Sequence, residues 1–306
     1  MAAMEPGTSS RPVILAATDF SETAEAALDW ASELARLQGA RLELIHAVTV
    51  PPSLPGFVPP APLLDGELRT AAQTRLEEVA ARVREAGGEV STHLGVGTPS
   101  QVILTRAGEL PATVIVMGTR GLTGLRHLLL GSTTERVMHR APCPVLSVHP
   151  GDKGRHRPIR SILVPTDFSQ DAELAIDAAH RLLAPLEQDA RLILVHAFNL
   201  PIEYTAYGPI PTSINFLKDT GLEAERRLEE IRERLLREGL AVETLAREGD
   251  PAEVIADEAE KRGVDLIAMG THGGSALRHL LLGSTAERVL HHATCPVMTL
   301  TSPRPS

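Results

Sequence analysis

The feature that most constrains this chain is that it says the same thing twice. Ile14-Leu15-Ala16-Ala17-Thr18-Asp19-Phe20-Ser21 returns 148 positions on as Ile162-Leu163-Val164-Pro165-Thr166-Asp167-Phe168-Ser169. Leu125-Arg126-His127-Leu128-Leu129-Leu130-Gly131-Ser132-Thr133 returns unchanged 152 positions on, as Leu277 to Thr285. So small a drift over a whole domain length argues for duplication of one unit, not a solenoid of short repeats. With 306 residues, each unit is long enough to bury its own core. The units are expected over 11–150 and 158–302, joined by the breaker-rich Pro150-Gly151-Asp152-Lys153-Gly154-Arg155-His156-Arg157-Pro158.

Within a unit, short apolar runs alternate with helical patterns. Val13 to Ala17 reads as a strand, and Ser21 to Leu37 as a helix with Ala24, Ala27, Leu28, Ala31, Leu34 and Ala35 on one face, ended by Gly39. Arg41 to Val48 is a second strand, Leu68 to Ala86 a charged amphipathic helix, and Glu89 to Val96 a third strand. Thr98-Pro99 offers a cap and a first-turn proline for a helix over Ser100 to Gly108. Thr113 to Met117 and Pro144 to Val148 are strands flanking a helix over Ser132 to Arg140. In the second unit the strands are Ser161 to Pro165, Arg191 to Ala197, Val242 to Arg247, Val264 to Met269 and Pro296 to Leu300. Near-continuous apolar strands separated by helices predict α/β units, each a doubly wound, parallel, five-stranded sheet covered on both faces. Ligands of such sheets lie beyond the carboxyl ends of the strands, where the strand order reverses. The Pro-rich stretches Thr49 to Gly66 and Leu200 to Ser213 read as irregular covering over that edge.

The segment after each fourth strand carries the chemistry. It reads Gly118-Thr119-Arg120-Gly121, nine residues, then Gly131-Ser132 opening a helix; the copy is Gly270-Thr271-His272-Gly273, nine residues, Gly283-Ser284. Glycines admit close approach of backbone amides to an anion, and a helix start supplies free N–H groups and a favourable dipole for phosphate. The bland alternative, serines that cap helices and glycines that serve turns, loses ground because the same spacing occurs twice. Neither copy is a Walker A loop, and neither follows a first strand as a dinucleotide fingerprint does. Asp19 and Asp167 close the first strands and suit a ribose or base, but Asp19 with Glu22 and Asp167 with Gln170 equally resemble capping boxes. Arg126-His127 and Arg278-His279 read as solvated loop residues, and His291-His292 as favourable charge at a helix C-terminus.

Composition narrows the classes. A formal charge of −9 and 3% aromatic residues disfavour nucleic-acid binding. No apolar run is long enough to span a bilayer and the N-terminus lacks the order of a secretory signal, so a cytoplasmic protein is expected. Cys143 and Cys295, one per unit, suit small apolar residues at strand entrances. No Ser-His-Asp or Cys-His order and no zinc spacing is present, so efficient catalysis is not expected.

These motifs, spread over almost the whole chain, resemble the universal stress protein family in its tandem-domain form. Both halves meet that family's glycine, two residues, glycine, nine residues, glycine, serine pattern; the Thr-Asp-Phe-Ser segments and the Ile45-His46-Ala47 and Val195-His196-Ala197 strand ends are similar too. One departure is Ala17, where the second half has the proline more usual before Thr-Asp. The resemblance implies an adenine nucleotide α-hydrolase-like, Rossmann-like fold and ATP, ADP or AMP as ligand, with magnesium carried by the phosphates. It implies that Asp19 and Asp167 meet adenosine and that the backbone of Ala47 and Ala197 meets adenine. Ribose and phosphates fall to Gly118, Gly121, Gly131, Ser132 and Thr133, and to Gly270, Gly273, Gly283, Ser284 and Thr285. It further implies a binding and signalling module with at most slow ATP hydrolysis, halves paired as a pseudo-dimer through their last strands, and room for a homodimer. An adenylate-processing enzyme of related fold and a scaffold with vestigial sites stay as alternatives. The first wants a Ser-Gly-Gly loop after the first strand, which Thr18-Asp19-Phe20-Ser21 does not offer, and intact glycines in both halves argue against the second.

Overall fold

The computed structural model describes residues 11–49, 61–110, 112–119, 130–150, 159–198, 202–205, 208–211, 214–272 and 282–302. The first half runs β1 (Val13–Ala17), α1 (Glu22–Gln38), β2 (Arg41–Val48), α2 (Ala61–Glu85), β3 (Val90–Val96), α3 (Pro99–Glu109), β4 (Ala112–Gly118), α4 (Ser132–Arg140) and β5 (Val145–Val148). The second runs β6 (Ser161–Pro165), α5 (Gln170–Leu183), β7 (Arg191–Phe198), a hairpin of β8 (Ile202–Thr205) and β9 (Gly208–Pro211), α6 (Ile214–Arg237), β10 (Ala241–Glu248), α7 (Pro251–Arg262), β11 (Leu266–Gly270), α8 (Ser284–His292) and β12 (Val297–Leu300).

Each half orders its strands 3-2-1-4-5, and the two sheets join into one of ten strands, β10-β7-β6-β11-β12-β5-β4-β1-β2-β3. All pairs are parallel except the junction, where β5 and β12 run antiparallel with Leu146 opposite Met298. Those two residues occupy the same position of the repeat, so the halves are related by a pseudo-twofold axis through their pairing. The strands of the two halves therefore point in opposite directions, and their carboxyl ends lie at opposite margins of the sheet. Completely buried β strands such as Val13 to Leu15 and Ile162 to Val164 sit between two helical layers. One core holds Trp30, Ala31 and Leu34 of α1 and Leu228 and Leu235 of α6; the other holds Ile103 of α3, Val137 of α4 and Val289 of α8. Both cores run through the junction, with Leu146 and Met298 in the first and Val145 and Val297 in the second.

Local chemistry sets the helix limits. Ser21 accepts from the Ala24 N–H and Gly39, at φ 58°, closes α1 in the left-handed region only glycine enters cheaply. Described parts of two stretches expected to be irregular are regular. α2 starts at Ala61, ahead of the expected Leu68, because Pro62 is tolerated in a first turn and Gly66 only weakens a helix interior. Within Leu200 to Ser213 the chain forms the β8–β9 hairpin, built on Ile202, Tyr204 and Thr205, residue types that favour strands. Most of the expected linker (151–158), and the first Pro-rich stretch from 50 to 60, lie outside the described residues.

Candidate functional site

The strand order reverses between β1 and β4 in the first half and between β6 and β11 in the second. At each reversal the chain turns sharply after the central strand. Thr18 Oγ1 accepts from the Phe20 N–H (3.0 Å) and Asp19 Oδ1 from the Ser21 N–H (3.0 Å); Thr166 and Asp167 repeat both bonds to Phe168 and Ser169 at 3.0 Å. Phe20 and Phe168 take φ of 63° and 62°, a conformation bulky residues rarely adopt. This turn delays the helix, so the N-caps are Ser21 and Ser169, which accept from Ala24 and Ala172. The capping boxes read at Asp19–Glu22 and Asp167–Gln170 are not formed; the aspartates brace the turn ahead of the helix.

A stack of two rings and a guanidinium braces that turn in both halves, and it was not legible in the motifs. His46 Nδ1–H donates to the Thr18 carbonyl (2.7 Å) and His196 Nδ1–H to the Thr166 carbonyl (2.7 Å). Each imidazole lies against the left-handed phenylalanine, with centroids 4.4 Å apart for Phe20–His46 and 4.6 Å for Phe168–His196. On the phenylalanines sit the guanidinium groups of Arg75 (4.7 Å) and Arg227 (4.3 Å). Beside the first stack a cleft of about 330 Å³ opens between α1 and α2, lined by Thr18, Phe20, Leu28, Arg75, Val79 and Arg82. It lies on the α1–α2 face, next to the turn.

β2 presents backbone to the same margin. The Ile45 carbonyl accepts from Thr18 N–H (2.9 Å) on the β1 side, and the Val48 carbonyl from Gly97 N–H (3.0 Å) on the β3 side. Peptide groups alternate sides along a parallel strand. Those of Ala47 therefore face the β1 side, just past where β1 ends. The bonds Thr166 N–H to Val195 and Gly249 N–H to Phe198 put Ala197 in the equivalent position.

The glycine segments complete the margin. Gly118 ends β4 against the first turn of α1: a Cβ there would stand 2.7 Å from Thr23 Cγ2, so a close helix–strand contact by itself requires glycine. Gly270 is likewise pressed by Asp171 of α5, at 2.6 Å. The chain leaves after Thr119 and returns at Gly131, whose N–H donates to the Thr119 carbonyl (2.7 Å); Gly283 donates to Thr271 in the same way (2.8 Å). Gly131 and Gly283 are the N-caps of α4 and α8, and neither helix has a side-chain cap. Ser132 and Ser284 therefore stand at the first helical position, exposed, with Thr133 and Thr285 next, so these serines do not cap their helices. The first-turn amides carry the positive end of the dipole, and Thr134 Oγ1 ties the first turn of α4 to the Gly118 carbonyl at 2.8 Å. A Cβ on Gly131 or Gly283 would crowd the threonine carbonyl at 3.2 and 2.8 Å. Thr119 is fully buried and its hydroxyl has no partner among the described residues. A polyanion with many acceptor oxygens suits such a site. Gly121, Gly273, Arg120 and the pairs Arg126-His127 and Arg278-His279 lie outside the described residues.

The universal stress protein family model matches residues 11–149 and again 158–300. The chain belongs to the universal stress protein family. A universal stress protein of Mycolicibacterium smegmatis is 28% identical over 295 residues, covering 94% of this chain and 96% of its own. One from Mycobacterium tuberculosis is 27% identical over 300 residues, covering 93% and 95%. Among solved structures, a universal stress protein from Archaeoglobus fulgidus superposes with a TM-score of 0.73 at 21% identity, covering 95% of this chain and 98% of that one, a likeness of fold. Among the described residues no helix is long and apolar enough to cross a membrane, and no three His, Cys, Asp or Glu side chains group as metal ligands.

Proposed function

We propose that this universal stress protein binds adenine nucleotides at two sites, one per half, and that the bound nucleotide alters its shape or its partner surface. The observation that carries the reading is the pair of glycine-capped helices, α4 and α8, whose uncapped amides open at the strand-order reversal of each half. In this reading Asp19 and Asp167 meet the ribose and the peptide groups of Ala47 and Ala197 meet adenine. The phosphates of ATP, ADP or AMP lie on Gly118, Gly121, Gly131, Ser132 and Thr133, or on Gly270, Gly273, Gly283, Ser284 and Thr285. Magnesium arrives with the phosphates. The protein works in the cytoplasm and hydrolyses ATP slowly at most.

A titration of isotope-labelled protein with ATP tests this directly. The amide resonances of Ser132, Thr133, Ser284 and Thr285 should move first and furthest. ATP binding that leaves those amides unmoved would place the ligand elsewhere, and rapid multiple-turnover hydrolysis would favour an enzyme.

A further inference from the structure

The two glycine-segment margins share a backbone plan and differ in charge. At the second position of α5 stands Asp171, where the repeat has Thr23 in α1. Its side chain is only 9% exposed, and its carboxylate reaches the residues that open the second glycine loop. Oδ2 lies 3.6 Å from His272 Nδ1, while Oδ1 accepts from the Ser302 N–H (3.3 Å) and from the Ser302 hydroxyl. His272 Nδ1 also meets Thr271 Oγ1 (2.9 Å), and that hydroxyl meets Thr301 Oγ1 (2.8 Å). The carbonyl of the same Thr271 holds the N-cap Gly283. His272 and Thr271 thus link the carboxylate to the start of α8. In the first half, Thr23 turns a methyl group towards Gly118, the Thr119 hydroxyl is buried with no partner among the described residues, and the next residue in sequence is Arg120.

Resting on the nucleotide reading, we propose that Asp171 is a specificity-determining residue, which makes the second site discriminate against phosphate charge. A fixed carboxylate beside an anion site repels each added phosphate, so it weakens ATP more than AMP. The first site, with a neutral Thr23 in its place, lacks that penalty. Among the described residues, Asp171 from α5, Thr271 beside it and Thr301 beyond β12 surround His272. The second site is therefore the one that favours nucleotides with few phosphates.

Calorimetric titrations of two full-length single-site variants test this, with AMP and ATP under one set of buffer conditions. Gly131→Val leaves the second site and Gly283→Val the first. The ratio of ATP to AMP affinity should be about three- to tenfold lower at the second site, as for one partly screened charge acting over several ångströms. Asp171→Asn, nearly isosteric, should raise that ratio to the value of the first site, and Thr23→Asp in the Gly283→Val chain should lower it. Equal ratios at the two sites, or a ratio that Asp171→Asn leaves unchanged, would overturn the proposal. If the wild-type chain binds neither nucleotide, the nucleotide reading falls, and this proposal falls with it.

Discussion

Leu146 and Met298 lie opposite each other across the only antiparallel pairing of the ten-stranded sheet, and they are the same position of the repeat. A strand that pairs with its own counterpart can pair with itself. Residues 11–150 expressed alone are therefore expected to form a symmetric dimer, β5 on β5, because the free edge and its apolar flanks would otherwise face water. Light scattering after gel filtration should give twice the monomer mass, and Leu146→Lys should reduce it to the monomer or abolish folding. A monodisperse, folded monomer with Leu146 intact would show that the junction depends on the covalent link.

The first half carries a buried ion pair between β2 and α3. Glu43 in β2 is 4% exposed and receives Arg106 of α3 through Nε to Oε1 at 2.5 Å and Nη2 to Oε2 at 3.1 Å. Glu43 raises the Arg106 guanidinium pKa above its ordinary value, chiefly through this hydrogen bond. Removing one partner strands the other's charge, so Arg106→Ala should cost about 3 kcal/mol in denaturant unfolding. Glu43→Gln/Arg106→Met together should cost less than Arg106→Ala; an equal or greater cost would assign the effect to packing.

Acid should loosen the second half through Glu258. Burial pushes its carboxyl up, but hydrogen bonds and charge from Arg262 and Arg247 prevail and hold it below the ordinary 4.5. A carboxylate depressed on folding contributes stability above its unfolded value, and that stability is lost as pH falls through the folded one. Glu258→Gln should lower stability at neutral pH and flatten its decline below about pH 5. Parallel stability curves for wild type and variant would contradict the assignment.

Cys143 should be chemically quiet. Burial pushes its thiol up to about 12 from 9.0, so almost none is thiolate at mildly alkaline pH. Alkylation by iodoacetamide should be slower than in the unfolded chain by about a thousandfold, following the thiolate fraction. Equal rates in the native and denatured protein would refute this.

How much of this was legible depended on how local each cause is. Apolar runs set the ten paired strands; Ser161–Pro165 and Ser132–Arg140 fall where the pattern put them. The β8–β9 hairpin escaped because Pro209 and Pro211 mask its strand character. Asp19 was open to a capping role because three-residue spacing is local, whereas the left-handed Phe20 that shifts the cap to Ser21 is held by His46 and Arg75 from other elements. Gly118 was assigned to an anion, while its close contact with Thr23 comes from packing that no spacing encodes. The Asp171–His272 pair joins residues a hundred positions apart, visible only once α5 lies on β11.

On the proposed reading, each half holds one nucleotide at a glycine-capped helix. Isothermal titration with ATP should give a stoichiometry near two for the wild-type chain, one for Gly131→Val or Gly283→Val alone, and no binding for both together. A wild-type chain that binds no ATP, or a folded double variant that binds as well as wild type, would contradict it.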